Sequence, residues 1–368
     1  MKIAKSVKIL ETRAVDAIRD LLGHVPGVEI DSVEYESKVD RAFRVDGLIS
    51  LSYFGESYAL VVEVKSNGAP RFVRAGVYQL ESYLGRMRRT AEGSDGRCLI
   101  PMLVSPYLSP ESRAICTDHD VAYLDLIGNA RLAFDTVYIE RSVADKPRSE
   151  TRALRSIFRP KAAAVLRVLL SEPDRAWRVA DLAAQAHASY GHVSNVRKAL
   201  LEREWLEVRD DGAAILHPEA LLQTWRENHR RPPGQLIAGY THLHGKQLDE
   251  RLRGKLNPYP EFPRAIYSLH SAAQWFAPFG RSGTHTFYAD EPGARMLKEE
   301  LKLTPAAAGA NVMLQVTTDE SLFDDVSEPV PNVFCTSPIM TYLDLWNGSD
   351  RDREAADHLA GEVFQWLK

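Results

Sequence analysis

The apolar positions near the start of the chain recur at helical spacing. Turned through about 100° per residue, Val7, Leu10, Ala14, Ile18 and Leu21 form one stripe, which predicts a helix from Ile3 to Leu22. A carboxylate, Glu11, falls inside that stripe, between Val7, Ala14, Val15 and Ile18. The spacing then tightens to that of strands: "GVEIDSVEYE", "FRVDGLISLSYF" and, after a short turn at Gly55 and Glu56, "YALVVEVK". A helix is predicted from Phe72 to Arg88, followed by strands "CLIPMLVS", "VAYLDLIG" and "RLAFDTVYIE". Helix, hairpin-linked strands, helix and further strands predict an α/β sandwich.

Between Arg141 and Lys161 basic residues outnumber acidic ones, and the first half of this segment reads as a linker. From Pro160 the pattern is helical: "PKAAAVLRVLLSEPD" opens with proline, "RVADLAAQAH" and "SYGHVSNVRKALLERE" follow, and "WLEVRDDGAAILH" reads as a hairpin at Asp211-Gly212. That order is the winged helix-turn-helix layout. Pro232-Pro233 marks a second boundary, and the remainder mixes helices such as "SLHSAAQWFAPF", "GARMLKEELKL" and "REAADHLAGEVFQWL" with strands "THTFYAD" and "NVMLQVTT". The expected fold is therefore multidomain α/β and α+β, with domains over residues 1–145, 146–230 and 231–368.

Composition adds bounds. At 368 residues, 45% hydrophobic and 26% charged, the chain suits two or three globular domains of roughly 100–150 residues. With a formal net charge of -4, any contact with nucleic acid has to come from local basic patches. Cys98, Cys116 and Cys335 form neither a CxxC pair nor an even framework, which suits a reducing cytoplasm. The opening residues lack a signal-peptide core, and no apolar run reaches 18 residues, so neither export nor a membrane is expected.

The candidate chemistry lies in "SYALVVEVKSNG", Ser57 to Gly68, an almost continuously apolar strand that carries Glu63 and Lys65. Side chains alternate along a strand, so these two share a face and Val62 and Val64 the other. Asp46, in the preceding strand, can come close to Glu63 once the two strands pair. Two carboxylates at strand ends suit a hard divalent cation, and Lys65 beside them can stabilise charge on a phosphate or position a water. The plainer alternative is a surface ion pair, worth roughly 0–1 kcal/mol.

Asp46 followed by Glu63-Val64-Lys65 after a hairpin resembles the PD-(D/E)XK nuclease superfamily, and "QLESY", Gln79 to Tyr83, resembles the QxxxY element of its exonuclease-like branch. The likeness spans Lys2 to about Ile139. It implies a restriction-endonuclease-like α/β sandwich with deoxyribonuclease chemistry dependent on Mg²⁺ or Mn²⁺. Asp46, Glu63 and the carbonyl of Val64 would bind metal, and Lys65 would serve the water or phosphate. Gln79 would orient, Tyr83 would touch the DNA backbone, and Glu11 would support a metal. The proline that the family places before its aspartate is Val45 here.

In a winged helix the third helix enters the major groove of double-stranded DNA. Tyr190, His192, Ser194, Asn195, Arg197 and Lys198 are its polar candidates, with Val193, Val196 and Leu200 spaced to face the core. Arg209 on the wing could add a contact, although Asp210 and Asp211 at its tip oppose close approach to phosphates. Such modules also bind proteins. A nuclease-like front carrying "YLDLIGNARL", then a winged helix and a tail carrying "SPIMTYLDLW", resembles the transcriptional regulators related to AbiEi antitoxins of type IV toxin–antitoxin systems. That likeness implies a prokaryotic regulator of its own operon, with a protein partner through the C-terminal domain. His242 and His244 form an isolated HxH that reads as ordinary surface, and the glycines of "FGRSGTHTF" read as a turn. Two readings stay open: a metal-dependent nuclease steered by a winged helix, or a regulator that binds DNA without cutting it.

Overall fold

The computed structural model describes residues 2–38, 44–89, 97–144, 147–280, 282–306 and 308–367. The expected boundary at 145/146 lies outside the described residues. The chain divides into two compact units, residues 1–152 with 198–204, and residues 153–197 with 205–368. It is a mixed α/β, multidomain protein with three sheets among the described residues.

The first unit runs α1 (Lys2–Gly23), β1 (Val28–Lys38), β2 (Arg44–Tyr53), β3 (Glu56–Val64), α2 (Pro70–Met87), β4 (Cys98–Ser105), α3 (Pro110–Asp118), β5 (Ala122–Asp125), β6 (Ala130–Phe134) and β7 (Val137–Arg141). Its seven strands lie side by side in chain order. Pairing is antiparallel from β1 to β3, parallel from β3 through β4 to β5, and antiparallel again to β7. Alternation along the strands gives the sheet two apolar faces. Leu60, Val62, Met102 and Val104 meet Ala14, Ile18 and Leu22 of α1, whereas Val61, Leu103 and Tyr123 meet Val73, Val77 and Leu80 of α2 and Ile115 of α3. Each fully buried aliphatic side chain of this kind contributes about 1.5–3 kcal/mol. Covered on both faces, the central strands are mostly apolar, and the two carboxylates they bury, Glu63 of β3 and Asp125 of β5, stand out.

Two details differ from the sequence reading. The stretch 131–140 is a hairpin rather than one strand, because Asp135 takes a left-handed φ of 47° and turns the chain between β6 and β7. Residues 110–118, which carried no strong period, form α3, started by Pro110 after Ser109, whose side chain accepts from Ser112 N.

Part of the expected linker is also helical. Helix α4 (Arg148–Ile157) forms there because Leu154 and Ile157 supply a buried side to an otherwise charged segment. The winged helix follows as α5 (Pro160–Ser171), α6 (Val179–Gln185), α7 (Tyr190–Glu202), β8 (Leu206–Arg209), β9 (Gly212–Ile215) and α8 (Pro218–Asn228). A bridge between Trp177 and Ala213 extends the wing. Gly212 is needed there, since a Cβ would stand 2.6 Å from the backbone carbonyl carbon of Trp177.

The rest of the second unit is β10 (Gln235–Tyr240), α9 (Lys246–Leu252), β11 (Ala265–Tyr267), α10 (Leu269–Phe276), β12 (His285–Ala289), α11 (Glu291–Glu300), β13 (Thr304–Pro305), β14 (Val312–Val316), α12 (Ser321–Asp324), β15 (Val326–Val330), β16 (Val333–Thr336), α13 (Pro338–Trp346) and α14 (Asp350–Val363). Its sheet has the order β13-β10-β14-β12-β11-β16-β15 and mixes parallel with antiparallel pairs. Among the described residues, the side chains of Asp290, Ser337 and Ser349 cap α11, α13 and α14, the last in a capping box with Asp352. A polar knot ties α13 to the segment after α8: the fully buried Asp344 accepts from Tyr288 Oη at 2.8 Å and meets His229 Nε2 at 2.7 Å, while Arg231 donates to its backbone carbonyl. Among the described residues no helix is long and apolar enough to cross a membrane.

Candidate functional site

The charged positions of β3 lie where the ladder to β2 stops. The last paired residues are Gly47 and Val62, and the next step would set Asp46 beside Glu63. There the backbone bond gives way to a side chain, because Asp46 Oδ2 accepts from Val64 N at 2.8 Å. On the other edge of β3, Lys65 N donates to Val104 O at 2.8 Å, so the strand is held from both sides up to the charged pair. Glu63 is only 5% exposed, and its Oε1 accepts from Lys65 Nζ at 2.7 Å.

These carboxylates disturb one another. Burial, and next the charge of Asp46, push the Glu63 carboxyl up to about 7 against the opposing pull of Lys65. Burial likewise raises Asp46, with the Val64 N–H and Lys65 opposing. Glu11, buried on the α1 side of the sheet, is raised first by desolvation and then by Asp46 and Glu36. Carboxylates are thus gathered in one partly dry place, with Lys65 bound to Glu63.

Helix α2 completes the cluster. Gln79 and Tyr83, one turn apart, are hydrogen-bonded to each other, and Gln79 Oε1 also accepts from Lys65 Nζ. Tyr83 is buried, and its hydroxyl pKa is raised by desolvation and then by Glu63 and Asp46. The fold therefore brings Asp46, Glu63, Lys65, Gln79 and Tyr83 together, with Glu11 in electrostatic reach of Asp46.

A residue that sequence reasoning passed over makes this possible. A Cβ built on Gly76 of α2 would stand 2.7 Å from Leu103 Cδ1 and 3.0 Å from Lys65 Cε. The missing side chain is the space in which the Lys65 stem lies. Gly76→Ala is expected to lower stability by about 1–3 kcal/mol through overpacking, read as a fall in denaturation midpoint. An unchanged midpoint would show that Lys65 can lie elsewhere at no cost. Asp125, at the end of β5 in "DLIGN", was also missed as a structural group. Its carboxylate takes the backbone N–H groups of Leu108, Ile127, Gly128 and Asn129, at 2.9–3.2 Å, so it anchors the loop beside the site.

Among the described residues no group of three His, Cys, Asp or Glu stands close enough to enclose a metal ion. Two carboxylates and a carbonyl nevertheless fit Mg²⁺, which keeps several waters and takes few protein ligands. The mutual raising of Glu63 and Asp46 is the repulsion that a bound cation would relieve.

In the winged helix, Tyr190, Ser194, Asn195 and Lys198 are exposed on α7, while Val193, Val196 and Leu200 are buried. Arg197 is half-buried, and its Nε lacks a hydrogen-bond partner. His192 lies half-buried with Nε2 also unpartnered. On the wing, Arg209 is engaged by Glu207 at 2.6 Å.

No family model matches the chain. No curated protein matches it either. Among solved structures it is similar to an XisH family protein from Nostoc punctiforme PCC 73102, at 15% identity over 32% of this chain and 89% of that one, with a TM-score of 0.21. It is similar in the same way to an fdxN element excision controlling factor protein from Anabaena variabilis, at 15% identity and the same coverage, with a TM-score of 0.23. At those scores neither superposition decides the fold or the activity of this chain.

Proposed function

We propose that this chain binds double-stranded DNA through its winged helix and that its first unit is a PD-(D/E)XK-type nuclease hydrolysing DNA phosphodiesters. The cluster of buried Glu63 with half-buried Asp46 and Lys65 at the end of β3 carries this reading. A platform for DNA or protein has no need to set two mutually repelling carboxylates, one buried and one half-buried, side by side, since their desolvation is costly. Asp46, Glu63 and the carbonyl of Val64 would hold Mg²⁺ or Mn²⁺, whose chemistry there is polarisation of a phosphoryl oxygen and activation of water. Lys65 would stabilise charge developing on the phosphate, Gln79 would keep its ammonium in place, and Tyr83 would line the approach of the DNA backbone. Glu11 would support the metal through Asp46.

A second reading has its own observation. The Lys65 ammonium is already bound by Glu63 and Gln79, an arrangement that can persist without substrate. On that reading the chain is a non-cutting regulator of AbiEi type, holding an operator through α7 and a protein partner through its C-terminal α+β part.

One assay separates them. Linear and supercoiled DNA are incubated with the full chain in Mg²⁺, in Mn²⁺ and in EDTA, and binding is followed by anisotropy on the same samples. Strand scission in metal that stops in EDTA supports the nuclease. Tight binding with intact DNA under all conditions removes it in favour of the regulator. In either case Lys198→Ala on α7 is expected to weaken binding and reduce the salt slope by about one phosphate contact.

A further inference from the structure

The second unit contains a cavity of about 370 Å³, walled by α5, the turn from α6 to α7, the first turn of α7 and the segment Ser321–Asp325. That volume is within the range of small-molecule sites. Two features of its lining are costly without a ligand. Arg167 of α5 is 8% exposed, and its one partner among the described residues is Asp325, with Nε 2.5 Å from Oδ2 but out of line for a hydrogen bond. The same oxygen of Asp325 is taken by Ser337 Oγ at 2.6 Å, so this carboxylate is shared. The guanidinium has five N–H donors, and the ion pair with Asp325 engages only its Nε edge. The second feature is His192, whose buried Nε2 has no partner. Both residues line this cavity, and Lys161 joins them.

A buried polar atom without a partner costs about 1–3 kcal/mol, more when it belongs to a charged group. One such atom, His192 Nε2, and a nearly buried guanidinium held only by an ion pair line one space large enough for a molecule, and together they describe a recognition site. Guanidinium, ammonium and imidazole are donors, and a planar fork matches the oxygens of a carboxylate or phosphate. A neighbouring cavity of about 990 Å³ shares Arg167, His187 and Asp325 but does not reach His192, whereas the smaller space joins Arg167 to His192.

We propose that this cavity binds a small oxyanion-bearing molecule, a carboxylate or a phosphate, held by Arg167, His192 and Lys161. Asp324 and Asp325 on the facing wall would take a hydroxyl or ammonium donor from the same molecule, and they disfavour a ligand that is anionic throughout. Because His192 stands in the first turn of α7, occupancy would act directly on the helix that presents Asn195 and Lys198. The binding claim itself does not depend on whether the first unit cuts DNA.

The test is calorimetric titration and thermal melting of the full chain with phosphoethanolamine and with β-alanine as probes, each pairing one oxyanion with an ammonium, against chloride at matched ionic strength. Either probe is expected to bind saturably and raise the melting temperature, and the stronger of the two names the preferred oxyanion. His192→Leu removes an atom that has no partner, so the fold is retained, and affinity is expected to fall at least about tenfold. Arg167→Met is expected to abolish binding. Since that change also strips Asp325 of its cation, Lys161→Met, at the rim, serves as a second variant expected to weaken binding. No saturable binding of either probe to the wild type, or equal affinity in wild type and His192→Leu, would overturn the proposal.

Discussion

Lys65→Ala is expected to lower metal-dependent DNA cleavage by at least about 10²–10³-fold, the usual cost of removing one preorganised group that stabilises charge in a transition state. The variant keeps Asp46 and Glu63, so the rise in melting temperature on adding Mn²⁺ should persist. Asp46→Asn and Glu63→Gln should lose both cleavage and the metal-induced rise. This split matters because the three side chains touch. A structural defect at the end of β3 would change all readouts together, whereas separate roles would divide them. Full activity in Lys65→Ala would remove the lysine from the chemistry and leave it as the partner of Glu63 and Gln79.

Asp344→Leu is expected to destabilise the second unit by about 3–5 kcal/mol, as for one partner taken from a buried, hydrogen-bonded polar network. Its carboxylate is fully buried and satisfies two side chains that have little access to water, Tyr288 and His229. Burial and next the charge of Asp344 hold the Tyr288 hydroxyl far above its ordinary range, so it acts there as a donor. Without Asp344 the hydroxyl and the imidazole are both left dry and unpaired. Urea denaturation monitored by tryptophan fluorescence reads this loss, because all six tryptophans lie in the second unit. A change under about 1 kcal/mol would mean that water enters and replaces the carboxylate.

Much of the first unit was legible because most of its elements have a clean period. The stripe of α1 announced a buried Glu11, and alternation in β3 put Glu63 and Lys65 on one face. What the sequence hid depends on distance in space. Nothing local says that Gly76 stands over Lys65 rather than marking a weak point of α2. Nor does "DLIGN" reveal that Asp125 collects backbone donors from two loops. The hairpin at Asp135 was missed because an isolated Asp-Thr between apolar residues resembles continuous strand. The linker was half wrong for the opposite reason. Its charges were conspicuous, while Leu154 and Ile157, which make α4 a helix, were few. In the winged helix the spacing identified the buried side of α7, but not that His192 turns toward a cavity, since this depends on residues more than a hundred positions away.

The sequential strand order has a consequence for how the first unit is made. Domains fold from the N-terminus as the chain leaves the ribosome, and neighbouring strands that are neighbours in sequence close short loops. Asp46, Glu63, Lys65, Gln79 and Tyr83 have all emerged by the end of α2, before β4 exists to cover the second edge of β3. During that interval a nearly uninterrupted apolar strand has one open edge, the kind of surface on which nascent chains cross-pair. The charged pair at its end then acts as a gatekeeper against aggregation, in a nascent chain that has as yet no substrate to meet.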